Sequence, residues 1–186
     1  LVAFAERLQI PVVSSLLGLG AMPVEHPLFL GMGGMHGSYA ANMALAETDY
    51  LINIGSRFDD RLASKPTMFL KNATVAHIDI DPAEIGKIVK THLPVVGDAK
   101  RALEILLMVE KPKTSYNKWV EQVQDNAKRA PYSFEPEQGV NKPQEVIKLI
   151  GEITNGDAII VTDVGQHQMW AAQWYPYKHS RQLVTS

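Results

Sequence analysis

The sequence contains no cysteine, which removes disulfide frameworks, thiolate nucleophiles and cysteine-ligated zinc or iron–sulfur centres together. It also lacks a surplus of charge of either sign. Its 18 lysines and arginines balance 20 aspartates and glutamates, for a formal net charge of −2. A duplex nucleic-acid binder usually carries a basic face. No apolar run approaches the roughly 18 residues that cross a bilayer. There is no secretory signal pattern, no repeat at a solenoid period and no low-complexity tract. The six histidines show no i,i+4 pairing of the kind that ligates zinc, and no Ser-His-Asp arrangement can be argued. What is present is a chain of 186 residues, 46% of them hydrophobic, long enough for a self-supporting core. A soluble, cytoplasmic α/β protein is expected.

Short apolar runs rich in β-branched residues signal strands at 10–14, 50–54, 74–80, 93–96, 158–162 and 182–185. Helical periods fall at 1–8, 38–47, 100–109 and 143–153, with a polar helix at 115–128. Apolar strands alternating with helices predict a doubly wound, mostly parallel sheet covered on both faces. Two prolines and a glycine between Ala130 and Val140 suit a connector between two units. Both ends read as cut, since the chain opens inside a helical period without a methionine and closes in a strand-like run. The sequence is therefore expected to be part of a longer polypeptide.

Four stretches carry candidate chemistry. Gly31-Met32-Gly33-Gly34-Met35-His36-Gly37 precedes a helix, where bare N–H groups can meet an anion; a tight turn without a ligand explains it equally well. Gly55-Ser56-Arg57-Phe58-Asp59-Asp60-Arg61 follows the strand at 50–54, and ligands of open α/β sheets bind outside the carboxyl ends of strands. Arg57 and Arg61 can each grip a phosphate or carboxylate, or else pair with Asp59 and Asp60 on the surface; the loop's position favours the ligand. Asp79, ending the next strand, suits a ribose-binding carboxylate; the Asp79-x-Asp81 spacing also suits a divalent metal, since alternate strand residues point the same way, and Asp79 is read as ligand-facing. Asp81 before Pro82 reads as a helix cap with proline at the first helical position. In Asp163-Val164-Gly165-Gln166-His167-Gln168-Met169-Trp170, Gly165 permits close backbone approach to a phosphate, with Gln166 and His167 as donors at a helix start, although a lone histidine such as His167 is more often structural.

Taken together and in this order, GMHG, RFDDR, HIDIDPAEIGK and DVGQHQMWAAQ resemble acetohydroxyacid synthase, the large catalytic subunit of acetolactate synthase. The resemblance covers essentially the whole chain. It implies a Rossmann-like central FAD-binding-type domain at 1–130 lacking its first strand, a linker at 131–142, and the beginning of a C-terminal thiamine-diphosphate-binding domain at 143–186. It further implies a transferase of branched-chain amino-acid biosynthesis. Pyruvate is decarboxylated on thiamine diphosphate, and a second 2-keto acid, pyruvate or 2-ketobutyrate, accepts the two-carbon unit.

The implied flavin contacts are Ser15, Leu16 and Leu17; Gly34, Met35 and His36; Gly55, Arg57, Asp59 and Arg61; Asp79, Ile80 and Glu84; and Gly97, Asp98 and Ala99. Arg61, with Met35 and Asp60 nearby, would recognise the acceptor keto acid. Val164, Gly165, Gln166 and His167 would hold the diphosphate of the thiamine cofactor. The implied catalytic glutamate, and the Gly-Asp-Gly motif and asparagine for Mg2+, have no match here, so the fragment alone is expected to be inactive. The implied assembly is a homodimer or homotetramer with a small regulatory subunit. The rival readings are another flavin-containing thiamine enzyme (pyruvate oxidase or glyoxylate carboligase) and a non-catalytic nucleotide-binding flavoprotein module. Loss of the strand before Leu1 is expected to expose an unpaired sheet edge and to cause self-association or disorder near Leu1.

Overall fold

A computed structural model describes residues 1–109 and 114–185. The elements run α1 (Val2–Leu8), β1 (Val12–Ser14), β2 (Phe29–Met32), α2 (Tyr39–Glu47), β3 (Tyr50–Ile54), β4 (Thr74–Asp79), β5 (Leu93–Val96), α3 (Ala99–Met108), α4 (Asn117–Arg129), α5 (Pro143–Ile153), β6 (Ile160–Thr162), α6 (Gln166–Trp174) and β7 (Leu183–Thr185). Strand β1 pairs with β2, β4 lies between β3 and β5, and β6 pairs with β7. Every one of these pairings is parallel, as the alternation of strands and helices predicts.

Local signals explain where helices start. The Ser38 hydroxyl accepts the Ala41 N–H at 3.0 Å at the head of α2, and the Asp98 carboxylate accepts the Arg101 N–H at 2.9 Å at the head of α3. Each satisfies one of the N–H groups that a helix start leaves unpaired. Proline occupies the first turn of α5, where its missing N–H costs nothing. The Asp81-Pro82 pair behaves differently from its reading as a helix cap. Asp81 accepts the Ala83 N–H at 2.9 Å, and the chain then passes through turns rather than a helix. The strand β2 was not expected, because its central Gly31 belongs to a stretch that reads as a loop.

Packing ties the early and late parts of the sequence together. Leu19 and Met32 share a buried cluster with Ala172, Tyr175, Tyr177 and Leu183, so α6 and β7 close over β2. On the other side of β2, Val123 of α4 enters a cluster with Leu30, Ala40, Ala41 and Ala44. A third cluster, under β4, joins Phe58, Ala63, Leu70, Ala73, Val75 and Val89. The small side chains of α2 let α4 approach closely, which suits ridge-into-groove packing.

The strands are buried unequally. In β4, with a neighbour on each side, five of six positions are buried. In β3, equally apolar but paired only with β4, one of five is buried. β1 likewise has a single neighbour, β2. The unpaired sides of β1 and β3 line one slot of about 510 Å³, with Leu1, Phe4 and Leu8 of the α1 region also in its wall. The sheet edges at β1 and β3 thus share the wall of this slot. Leu1 is 38% exposed, and α1 is formed immediately after it.

Candidate functional site

A second cavity, of about 580 Å³, opens where the loops after β1, β2 and β3 meet the start of α6. Its wall includes Ser15, Leu16, Met35, His36, Arg57, Asp59, Arg61, Val164, Gly165 and Gln166. These come from four separate stretches, brought together because parallel strands deliver their carboxyl-end loops to one side of a sheet.

The loop carrying Met35 and His36 is held from several directions. The side-chain amide of Asn42, one turn into α2, accepts the Gly34 N–H at 2.8 Å and donates to the Gly34 carbonyl at 2.9 Å. The Met35 N–H donates to the Arg61 carbonyl at 2.8 Å. From the other direction, the His36 carbonyl accepts Gln173 Nε2 at 2.9 Å and the Tyr132 hydroxyl at 3.2 Å. Burial pushes the Tyr132 phenol up to about 12, which keeps that hydroxyl protonated as a donor.

The arginines are the chemically distinctive part. Asp59 turns its carboxylate to backbone rather than to a guanidinium, accepting the Arg61 and Leu62 N–H groups at 3.1 Å each. The surface salt-bridge network that competes with ligand binding in the sequence is therefore not formed. Among the described residues, no ion pair involves Arg57 or Arg61. Arg57 and Arg61 thus line the cavity outside any such ion pair, with the Asp59 carboxylate engaged by backbone N–H groups, an arrangement that favours anionic groups.

Opposite them, α6 begins at Gly165, whose φ of 153° and ψ of −168° lie in a region essentially reserved for glycine. A Cβ there would sit 3.0 Å from the His167 ring. Val164, the cap residue Gly165 and the first helical residue Gln166 all line the cavity, at a helix end that leaves N–H groups without intrahelical partners. His167 itself does not line it and backs Gly165 instead.

A second group of expected residues gathers on the carboxyl ends of the three-stranded sheet. The Gly55 N–H donates to the Ile78 carbonyl, and the Gly97 N–H to the Asp79 carbonyl, both at 2.8 Å. The tips of β3, β4 and β5 therefore stand side by side. A Cβ on Gly55 or Gly97 would meet nothing within 4 Å, so both backbones are open to approach. Ile80 is 72% exposed beside them, Asp98 caps α3 and Ala99 begins it, and Glu84 pairs with Lys87 at 2.7 Å.

Asp79 differs from its expected ligand-facing pose. Its carboxylate is buried, accepts the Asp81 N–H at 2.9 Å and lies 3.7 Å from His77 Nε2. Leu17 and Asp60 do not line the cavity, and Gly55 lines the slot. Met32, Gly33, Gln168 and Met169, which belong to two of the candidate stretches but had no contact assigned, also line it, as does Leu62 just beyond a third. Met169 was recoverable, since it lies one helical turn from Gln166. Gln173, 137 positions from His36, carried no signal.

Comparison with known proteins places this arrangement. The model of the thiamine pyrophosphate enzyme central domain matches residues 1–106, and the chain belongs to that family. It is 64% identical over 184 residues to the acetolactate synthase large subunit of Lactococcus lactis, covering 99% of this chain and 32% of that protein. It is 42% identical to the acetolactate synthase isozyme 3 large subunit of Escherichia coli, over 97% of this chain and 33% of that one. With the chloroplastic acetolactate synthase of Arabidopsis thaliana the identity is 44%, over 98% and 28%. The chain thus spans about a third of the length of these curated relatives.

Proposed function

We propose that this chain is part of the catalytic subunit of an acetolactate synthase, joining two 2-keto acids in branched-chain amino-acid biosynthesis. The observation that carries the reading is the 580 Å³ cavity, where Arg57 and Arg61 face the glycine-led start of α6. Both groups of bound anions the reaction needs, a keto-acid carboxylate and a cofactor diphosphate, suit those walls.

The residues present fit two cofactors. Thiamine diphosphate, when bound, supplies the carbanion chemistry. Val164, Gly165 and Gln166 would receive its diphosphate at the α6 start, with His167 fixing the Gly165 turn from behind. FAD is the proposed second cofactor. The open backbones at Gly55 and Gly97 and the cavity residues Ser15, Leu16, Met35 and Arg57 would receive it. Arg61 would orient the acceptor carboxylate, and Met35, 58% exposed, would shape the entrance. The Mg2+ and the catalytic glutamate of the reading would come from other parts of the polypeptide.

The whole enzyme is proposed to be a homodimer or homotetramer with a small regulatory subunit, acting in the cytoplasm. No helix among the described residues is long and apolar enough to cross a membrane. The test is direct. The longer polypeptide containing this stretch, supplied with thiamine diphosphate, Mg2+ and FAD, should form acetolactate from pyruvate. Consumption of pyruvate to acetate or peroxide without acetolactate would instead assign it to the oxidase branch.

A further inference from the structure

Asn42 does not line the cavity, yet it holds a turn that does. The Gly34 carbonyl accepts the Gly37 N–H at 3.0 Å, closing residues 34–37 into a β-turn with Met35 and His36 at its central positions. Both of those residues line the cavity. Asn42 grips the corner of the turn twice. Its Oδ1 accepts the Gly34 N–H at 2.8 Å, and its Nδ2 donates to the Gly34 carbonyl at 2.9 Å. Two bonds from one planar amide fix a direction as well as a distance. Asparagine is one of the poorer residues inside a helix, and this one is the fourth residue of α2. Ser38 caps that helix, and Ala40, Ala41, Ala44 and Leu45 bury it. Its cap and its packing thus come from other residues, and the polar side chain at 42 is spent on the turn.

We propose that Asn42 is a positioning residue that sets the width of the acceptor site. The proposal rests on the reading in which Arg61 orients the acceptor carboxylate and Met35 shapes the entrance. Asn42 fixes Gly34, the closed turn carries Met35, and the Met35 N–H donates to the Arg61 carbonyl at 2.8 Å. The placement of Met35 against Arg61 therefore refers back to a side chain outside the cavity wall. The other restraints act elsewhere. Gln173 and Tyr132 reach the His36 carbonyl, and the Arg61 carbonyl itself belongs to a loop. Pyruvate and 2-ketobutyrate differ by one methylene, which a fitted apolar pocket can discriminate by roughly 10- to 200-fold. A turn released at its corner lets the pocket accommodate either acceptor, so discrimination falls while every residue of the wall stays in place.

The test uses the longer polypeptide, saturated with thiamine diphosphate, Mg2+ and FAD and supplied with mixtures of pyruvate and 2-ketobutyrate. The ratio of kcat/KM for the two acceptors is read from the partition between acetolactate and acetohydroxybutyrate. In Asn42→Ala that ratio should move toward unity by about 3- to 10-fold, with α2 intact because alanine is the better helix former. Asn42→Asp keeps the acceptor for the Gly34 N–H and loses the donor to its carbonyl, and should move the ratio the same way by a smaller factor. Amide exchange gives a readout independent of turnover: the Gly34 N–H should exchange about 10-fold faster in Asn42→Ala. Met22→Ala, which opens a buried cluster with Ala5 and Leu28, is the control for general loosening. It should lower Tm and leave both the ratio and Gly34 exchange at parent values. An unchanged ratio in both Asn42 variants, or an equal change in Met22→Ala, would overturn the proposal. A parent that forms no acetolactate would remove the reading beneath it, and the proposal with it.

Discussion

Gly34 lies against the backbone of Arg61. With φ at +99°, a Cβ at position 34 would come 2.5 Å from the Arg61 carbonyl oxygen, the acceptor of the Met35 N–H. The GMHG and RFDDR motifs are thus one object in space, and the arginine's position is set through a glycine 27 residues earlier.

Gly34→Ala should therefore move the RFDDR loop as well as strain its own backbone. A non-glycine residue held at such a φ costs roughly 1–3 kcal/mol, and the contact with a carbonyl, which cannot swing away as a side chain can, adds to it. Urea unfolding should show a loss within or above that range. FAD fluorescence quenching should weaken in the same variant at temperatures where it remains folded. Full stability with unchanged FAD quenching would show that the two motifs are not coupled.

The two arginines should separate by ligand. Both line the cavity, but Arg57 follows Gly55 at the tip of β3 by two residues, whereas the Arg61 carbonyl holds the Met35 N–H. In the whole enzyme, Arg61→Ala should impair acceptor use more than flavin retention, changing the partition between acetolactate and acetohydroxybutyrate. Arg57→Ala should weaken FAD by about 10- to 100-fold, the loss of one charge-assisted hydrogen bond at 1.5–3 kcal/mol. Unaltered kinetics for both acceptors in the Arg61 variant would remove its assigned role.

His77 should make folding sensitive to mild acid. Its ring is fully buried in β4, packed edge-on against Phe58 at 5.5 Å, and neither ring nitrogen has a hydrogen-bond partner. Burial holds its pKa below the ordinary 6.5, although Asp79 pulls it upward. The folded chain therefore resists a proton that the unfolded chain accepts below 6.5. Stability is fully present above that pH and falls as pH drops through it toward the folded value. Urea midpoints at pH 7.5 and 5.5 should differ more for the parent chain than for His77→Leu, which removes the titrating group. At pH 7.5 the leucine variant should lie within about 1.5 kcal/mol of the parent, because no hydrogen bond is lost. An identical pH slope in both chains would clear His77 of the effect.

How far these features were readable beforehand depended on whether they are local. β3 and α5 begin and end where periodicity predicts, because short apolar runs bounded by turn residues fix both limits. β2 was hidden by Gly31, since a glycine-rich motif and a four-residue strand look alike in sequence. The ambiguity of RFDDR was real at that level. Alternating charges serve a salt-bridge network or an anion site equally, and only the turn of Asp59 onto the Arg61 and Leu62 N–H groups leaves the guanidiniums free. The reading gave the strands in chain order but not their neighbours in the sheets. Strand order depends on which crossovers skip a position, and periodicity carries no record of that.

The stretch at 131–142, read as a connector, is anchored at its start. The Phe134 ring meets Trp174 edge-on at 5.2 Å, Lys148 Nζ lies 4.7 Å from the Trp174 ring centroid, and the Tyr132 hydroxyl reaches the His36 carbonyl. Trp174 is thus the post on which the connector, α5 and the His36 loop lean. An aromatic pair and a cation–π contact each contribute about 0.5–1.5 kcal/mol, so Trp174→Ala should release the connector at a cost of about 1–3 kcal/mol locally. Limited proteolysis should then cut within 131–142 several times faster, while Lys148→Ala alone should accelerate it less. Because Gln173 and Tyr132 share the His36 carbonyl, loosening Trp174 should also lower FAD affinity without altering any residue of the cavity wall. If cleavage accelerates while FAD binding stays constant, the connector is anchored independently of the site, and the His36 loop is held by Asn42 and Arg61 alone.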